Sequence, residues 1–199
     1  MATTLLTLRT LTRALVGDPL EESNSWSDAE VDAAVNFSIL NYCEKTDCTY
    51  TEEPISFGGG SAFVPAPYIR IERVLIGSAA LYWSSKDFED QRDLGWRLLV
   101  GTPKRFHLQD GNTIRIVPAS DDTGTLGYIA KPDDLVLDAD EVTAKIPEPH
   151  HPYLKYAAAA WLYSKDGDQM DLKKAQEFMQ TFNNLIGVAG SVEPVETKE

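Results

Sequence analysis

Apolar residues recur at helical spacing near both ends of the chain and alternate with polar ones between. Leu5, Leu8, Leu11 and Leu15 share one helical face, which predicts a helix over residues 3–16 that Asp18-Pro19 ends. Ser27-Asp28-Ala29-Glu30 reads as a capping box, in which Ser27 and Glu30 satisfy each other's backbone amides. The stripe Val31, Ala34, Val35, Ile39 and Tyr42 follows, with Trp26 placed as a staple on the first turn.

Between about residues 48 and 136 the period shortens. Stretches at 49–57, 68–76 and 79–84 are rich in β-branched and aromatic residues and read as strands. A short helix is predicted over 85–96. Residues 104–109 and 113–117 then alternate around Asp110-Gly111, a pair suited to the positive φ angles of a tight hairpin. The run 121–124 turns the chain into a strand at 125–130, which predicts a three-stranded antiparallel meander.

Helical spacing returns after Pro152, placed at a first helical position where its missing N–H is not needed. From 153 to 163 the only charged residue is Lys155, and residues 157–160 are all alanine. A helix apolar all round must be covered on every side, by the β-rich segment or by a neighbouring subunit. A last helix over 170–186 carries Ala175, Phe178, Met179, Phe182, Leu185 and Ile186 on one stripe, with Gly187 as a stop. Residues 188–199 have little to bury and are expected to be mobile. The fold class expected is α+β, a bundle of N- and C-terminal helices with an inserted antiparallel β-rich domain. Its divisions are 1–47, 48–145, 146–187 and a tail at 188–199.

Composition narrows the function. A length of 199 residues suits one domain with a core, or one carrying an insertion. No run approaches the ~18 apolar residues of a spanning helix, so no membrane partner is expected. Arg9 and Arg13 lie among the apolar residues of the N-terminus instead of ahead of them, unlike a secretory signal, so cytosolic synthesis is expected. The formal net charge of −13 lacks the basic footprint with which proteins grip nucleic acid. It suits plain solubility, or a surface that DNA slides past.

Candidate chemistry is sparse. Cys43 and Cys48 lack the further ligands of a zinc site, and the adjacent His150 and His151 point in different directions on any regular element. Two reduced thiols are expected, with no metal and no cofactor. Gly58-Gly59-Gly60-Ser61 lacks both the Gly-Lys-Ser/Thr of a P-loop and dinucleotide spacing. Asp133, Asp134, Asp138, Asp140 and Glu141 lie in a polar connection, not on a rigid frame for acid–base work. His107 sits on a strand, facing away from Phe106 and Leu108, and no nucleophile elbow accompanies it. Trp26, Trp83, Trp96 and Trp161 are dispersed and read as packing residues, not a base-stacking platform.

The order of turns resembles a known family. Gly101-Thr102-Pro103 leads into the hairpin, Ile116-Val117-Pro118 ends its second strand, and Leu126-Gly127-Tyr128-Ile129-Ala130-Lys131-Pro132 forms a strand running out to proline. Ile146-Pro147, Tyr153 and the alanine-rich helix mark a return to a bundle. Over residues 5–186 this order resembles the head-to-tail adaptor (connector) proteins of tailed bacteriophages, similar to the tail tubular protein A rings of short-tailed phages. One strand end departs from the family pattern, since Ala119-Ser120 stands where a second proline is usual.

The resemblance implies a structural virion protein of the neck, not an enzyme. It would form a homo-oligomeric ring, expected to be a dodecamer, beneath the portal protein. The ring would extend the channel for genomic DNA, passed without sequence-specific binding, and dock a tail or nozzle protein for genome ejection. The tail would meet the portal through Val188, Val192 and Val195, and the alanine-rich helix would meet a neighbouring subunit through Tyr153, Tyr156 and Trp161. The alternatives are another neck or tail-completion protein, or a small cytosolic ligand-binding protein or enzyme.

Overall fold

The structure, a computed structural model, describes residues 3–18, 25–64, 67–165 and 170–187. Their order is α1 (Leu5–Val16), α2 (Asp28–Thr46), β1 (Tyr50–Ser56), β2 (Ser61–Phe63), β3 (Tyr68–Ile76), β4 (Ala79–Ala80), β5 (Tyr82–Trp83) and α3 (Lys86–Arg92). A 3-10 turn at Trp96–Leu98 follows, then β6 (Arg105–Gln109), β7 (Thr113–Val117), β8 (Thr123–Ala130), a 3-10 helix at Glu148–Tyr153, α4 (Leu154–Ser164) and α5 (Leu172–Leu185). The fold is α+β. It divides into a helical unit, made of the chain up to Cys48 and from Pro132 onward, and a β-rich unit, Thr49–Lys131.

In the helical unit α4 is central and packs on α1, α2 and α5. Ala157, Ala158, Ala159 and Ala160 are all buried there. Their small side chains let three helices approach one, so most of α4 is covered within its own unit. Pro152 lies inside the 3-10 helix instead of opening α4, which starts two residues later. The capping box of α2 forms as its sequence predicts: Glu30 N–H donates to Ser27 Oγ, and Ser27 N–H donates to Glu30 Oε2 at 2.9 Å. Val31, Ala34, Val35, Ile39 and Tyr42 are all buried. Trp26 is buried too, its ring edge-on to Tyr163 at 5.4 Å.

The inward face of α1 differs from the leucine stripe. Leu5 and Leu8 are buried, but Leu11 and Leu15 are only half-buried, and Thr12 and Arg13 take the interior positions instead. Arg13 turns inward because it finds partners there. Its guanidinium donates to Asp18 at 2.5 Å, to Asp28 at 2.7 Å and to the Trp26 carbonyl at 3.0 Å. A buried guanidinium needs such partners to offset its desolvation. On α5, Ala175, Phe182 and Ile186 are buried, Phe178 and Met179 half-buried, and Leu185 is exposed.

Residues 132–145, grouped with the β-rich segment by the sequence, make their contacts in the helical unit. Asn36 donates to the Leu135 carbonyl at 2.9 Å and accepts its N–H at 2.8 Å. The N–H groups of Leu5 and Leu6, unsatisfied at a helix start, donate to the carbonyls of Asp140 and Asp138.

The β-rich unit contains two sheets. One is antiparallel in the order β1-β8-β3-β4; the other runs β2-β7-β6-β5, with β5 parallel to β6. The β6–β7 hairpin forms in the expected register, Phe106 opposite Ile116, and both Asp110 (φ 54°) and Gly111 (φ 78°) adopt the positive φ of the turn. The three-stranded meander does not form. β8 leaves β7 and inserts between β1 and β3 of the other sheet, because the free edge of β7 is taken by β2. The stretch 79–84 likewise divides into β4 and β5, one in each sheet, with Leu81 buried between them. Ile55, Val74 and Leu126 from the first sheet share a core with Phe106, Ile114 and Ile116 from the second.

Candidate functional site

The residue groups that could carry chemistry are engaged structurally. Gly58 and Ser61 exchange backbone hydrogen bonds at 2.9 and 3.1 Å, and Gly59 N–H donates to Asp121 Oδ1 at 2.6 Å. The amide a phosphate would seek already holds a carboxylate. Gly60 is required by space and by φ (80°), because a Cβ there would lie 2.6 Å from that of Ala119. Asp138 pairs with Arg9 at 2.9 Å. Asp140 accepts the N–H groups of Leu137 and Val136 at 2.7 Å, which hold its carboxyl below the usual range. Asp133 and Asp134 are exposed.

The histidines and cysteines are separately placed. His150 Nδ1 meets the Tyr42 hydroxyl at 2.6 Å, and His151 Nε2 donates to the Ile146 carbonyl at 2.9 Å. The Sγ atoms of Cys43 and Cys48 lie 3.3 Å apart in a hydrogen bond, with no disulfide between them. A hydrogen bond from Cys43 outweighs burial and lowers the Cys48 thiol to about 7. Among the described residues no group of three or more His, Cys, Asp or Glu side chains could hold a metal, and no helix is long and apolar enough to cross a membrane.

The three expected interface residues are half-buried and face different neighbours. Tyr153 packs on His150, Tyr156 on Phe178 of α5, and Trp161 on Phe37 of α2, with centroids 5.6, 6.4 and 6.4 Å apart. Trp161 also borders an open groove of about 270 Å³ with Leu172 and Met179. Val188, Val192 and Val195 lie outside the described residues.

An exposed apolar surface was not singled out by the sequence. In the β-rich unit Phe63, Tyr82, Trp83, Phe88, Leu94, Leu98 and Val100 are between 51 and 85% exposed, all but Phe63 from the continuous stretch 82–100. The frame beneath is held firmly. Glu89 forms a bidentate pair with Arg105, Trp96 Nε1 donates to Asp90 at 2.7 Å, and Arg97 pairs with the same carboxylate at 2.7 Å. Trp83 contacts Phe106 edge-on at 5.3 Å. A soluble chain seldom leaves so many large apolar groups in water unless something covers them. The sequence signal was the apolar run Leu98-Leu99-Val100 beside Trp96; periodicity does not distinguish such a run from core.

Beside this surface lies a pocket of about 180 Å³ lined by Lys86, Trp96, Arg97, His107, Leu108, Gln109, Asp110 and Arg115. The guanidinium carbons of Arg97 and Arg115 lie 4.5 and 5.4 Å from the Trp96 ring centroid, within cation–π range. His107 does face away from Phe106, but it is buried, edge-on to Trp96 at 5.0 Å. Burial lowers its pKa.

The described residues thus define an α+β protein with two compact units and an exposed apolar stretch on the β-rich one. A family model described as SU10 adaptor protein matches residues 3–196, and the chain belongs to that family. It is a phage adaptor, a structural component of the virion, as the order of its turns indicated. No curated protein matches it.

Proposed function

We propose that this adaptor assembles as a ring beneath the portal, extends the DNA channel and offers a docking surface to the tail or nozzle. The observation that carries the reading is the exposed apolar stretch at 82–100, mounted on a frame fixed by the two-point Glu89–Arg105 ion pair. The occupant we assign to it is a neighbouring copy of the chain. A ring contact is heterologous, so each copy offers one patch and receives a different one. Strong hydrophobic cover is needed for such a contact, because copies carrying a net charge of −13 repel one another. The same charge suits a lumen through which DNA passes without adhering, and a twelve-fold ring would match the role.

In this reading residues 188–199, through Val188, Val192 and Val195, dock the portal. Tyr153, Tyr156 and Trp161 supply at most separate contacts, given their different neighbours. Electron microscopy of the portal protein from the same genome, with and without this chain, tests the proposal. An added coaxial ring is the expected result. A folded monomer that leaves the portal unchanged overturns it, and density further down the tail assigns the chain to tail completion instead.

A further inference from the structure

The pocket beneath Trp96 has the wrong charge for this protein. The chain carries 31 acidic and 18 basic residues, yet the pocket gathers Lys86, Arg97 and Arg115 against one carboxylate, Asp110. Arg97 is matched by Asp90. Arg115 has no carboxylate partner among the described residues; its Nη2 donates to the Arg97 carbonyl at 3.1 Å and its Nη1 reaches Ser61 Oγ only at 3.5 Å. His107 lines the same pocket, 2% exposed, and its Nδ1 is buried without a hydrogen-bond partner. Buried polar groups are normally satisfied, and an unpaired one beside an unmatched guanidinium suits an anionic guest.

We propose that this pocket receives a carboxylate side chain from a neighbouring copy of the chain, the polar anchor of the contact made by the surface at 82–100. The proposal rests on the ring reading. Its volume suits a single Asp or Glu side chain. A DNA backbone needs a basic stripe along which successive phosphates lie, and one enclosed pocket does not offer it. Any neighbouring copy, with its excess of acidic residues, has carboxylates to present. Arg115 would bind the anion in its plane, Lys86 would add charge at the rim, and Trp96 would hold both arginines in place from below.

Sodium acetate, titrated into the full chain against sodium chloride at equal ionic strength, is the first probe. Resonances of the Trp96 indole and the His107 ring report it. A saturable, acetate-specific shift is expected, weakened roughly tenfold in Arg115→Gln, the loss of one charge-assisted contact. Lys86→Gln, at an exposed position, provides a second variant that leaves the fold untouched. Both variants should then form fewer rings on the portal. No acetate-specific shift overturns the anion site. Weakened acetate binding with rings at the wild-type level overturns the neighbour as occupant, and displacement of acetate by a short DNA duplex would assign the pocket to nucleic acid. A wild-type chain that binds acetate but never assembles overturns the ring reading while leaving the anion site standing.

Discussion

Glu89 on α3 and Arg105 on β6 form a two-point ion pair, with Nε to Oε1 at 2.6 Å and Nη2 to Oε2 at 3.0 Å. The Glu89 side chain is 1% exposed, and the pair fixes a short helix that has few other anchors. Removing one partner leaves a buried charge unmatched, so Glu89→Ala should destabilise the β-rich unit by about 3 kcal/mol, read as a lower urea midpoint. Burial pushes the Glu89 carboxyl up, but Arg105, Ser84 and Arg92 together outweigh it and hold the group below its usual range. The pair's contribution is therefore complete above the ordinary carboxylate range and is lost as pH falls through the lowered value. Glu89→Gln should flatten that acid limb.

Glu30 gives a second acid limb, in the helical unit. Lys165, at 2.7 Å, and the backbone and hydroxyl of Ser27 lower its carboxyl from 4.5 to about 2. Its stabilising share is present above pH 4.5 and disappears as pH falls toward 2. Ser27→Ala should cost about 1 kcal/mol at neutral pH and shrink the acid dependence, measured by denaturant unfolding at a series of pH values.

Two glycines with positive φ should respond unequally to alanine. At Gly17 (φ 70°) a Cβ meets nothing within 4 Å, so Gly17→Ala should cost only the left-handed backbone strain, about 1 kcal/mol. At Gly60 (φ 80°) it meets the Cβ of Ala119 at 2.6 Å. Gly60→Ala should cost about 2 kcal/mol or more, since backbone must also move. Thermal unfolding of the two variants checks the order.

Cys48 should alkylate ahead of Cys43. Its thiol titrates near 7 and is partly accessible, whereas Cys43 is buried. Iodoacetamide should modify one thiol, with a rate that rises through about pH 7 instead of the usual ~8.5. Cys48→Ser should remove the fast phase, observed by intact mass.

Leu98→Asp and Val100→Asp place charge on residues 85 and 84% exposed. Free-protein stability should change by less than about 0.5 kcal/mol, as for ordinary surface sites. Rings on the portal should be lost. Rings at the wild-type level in both variants would remove the 82–100 surface from the assembly.

Helix positions were legible because caps and apolar period are local properties. Ser27 and Glu30 lie three residues apart, and Asp110-Gly111 forms its turn from two adjacent residues. Strand partners were not legible. The turn at residues 121–124 announces a strand at 125–130, but nothing in it chooses β1 and β3 over β7, and β2 is too short to show a period. Arg13 defeated the stripe of α1 because partners at Asp18, Asp28 and Trp26 outweigh hydrophobicity. The candidate surface was hidden for the opposite reason: Leu98 and Val100 look like core in sequence. The pocket joins residues 86 to 115 from four elements, so no motif announces it.

The helical unit is discontinuous, and that sets an order of events on the ribosome. Tyr163 reaches the carbonyl of Val16 across 147 positions, and α4 packs on both α1 and α2. The two early helices pack on each other, but neither can bury its whole apolar face until α4 has been synthesised. The β-rich unit, by contrast, is one continuous segment and can close as soon as it emerges. A translation product stopped after residue 131 would already carry a complete β-rich unit, with its 82–100 surface, while its first two helices still lacked α4.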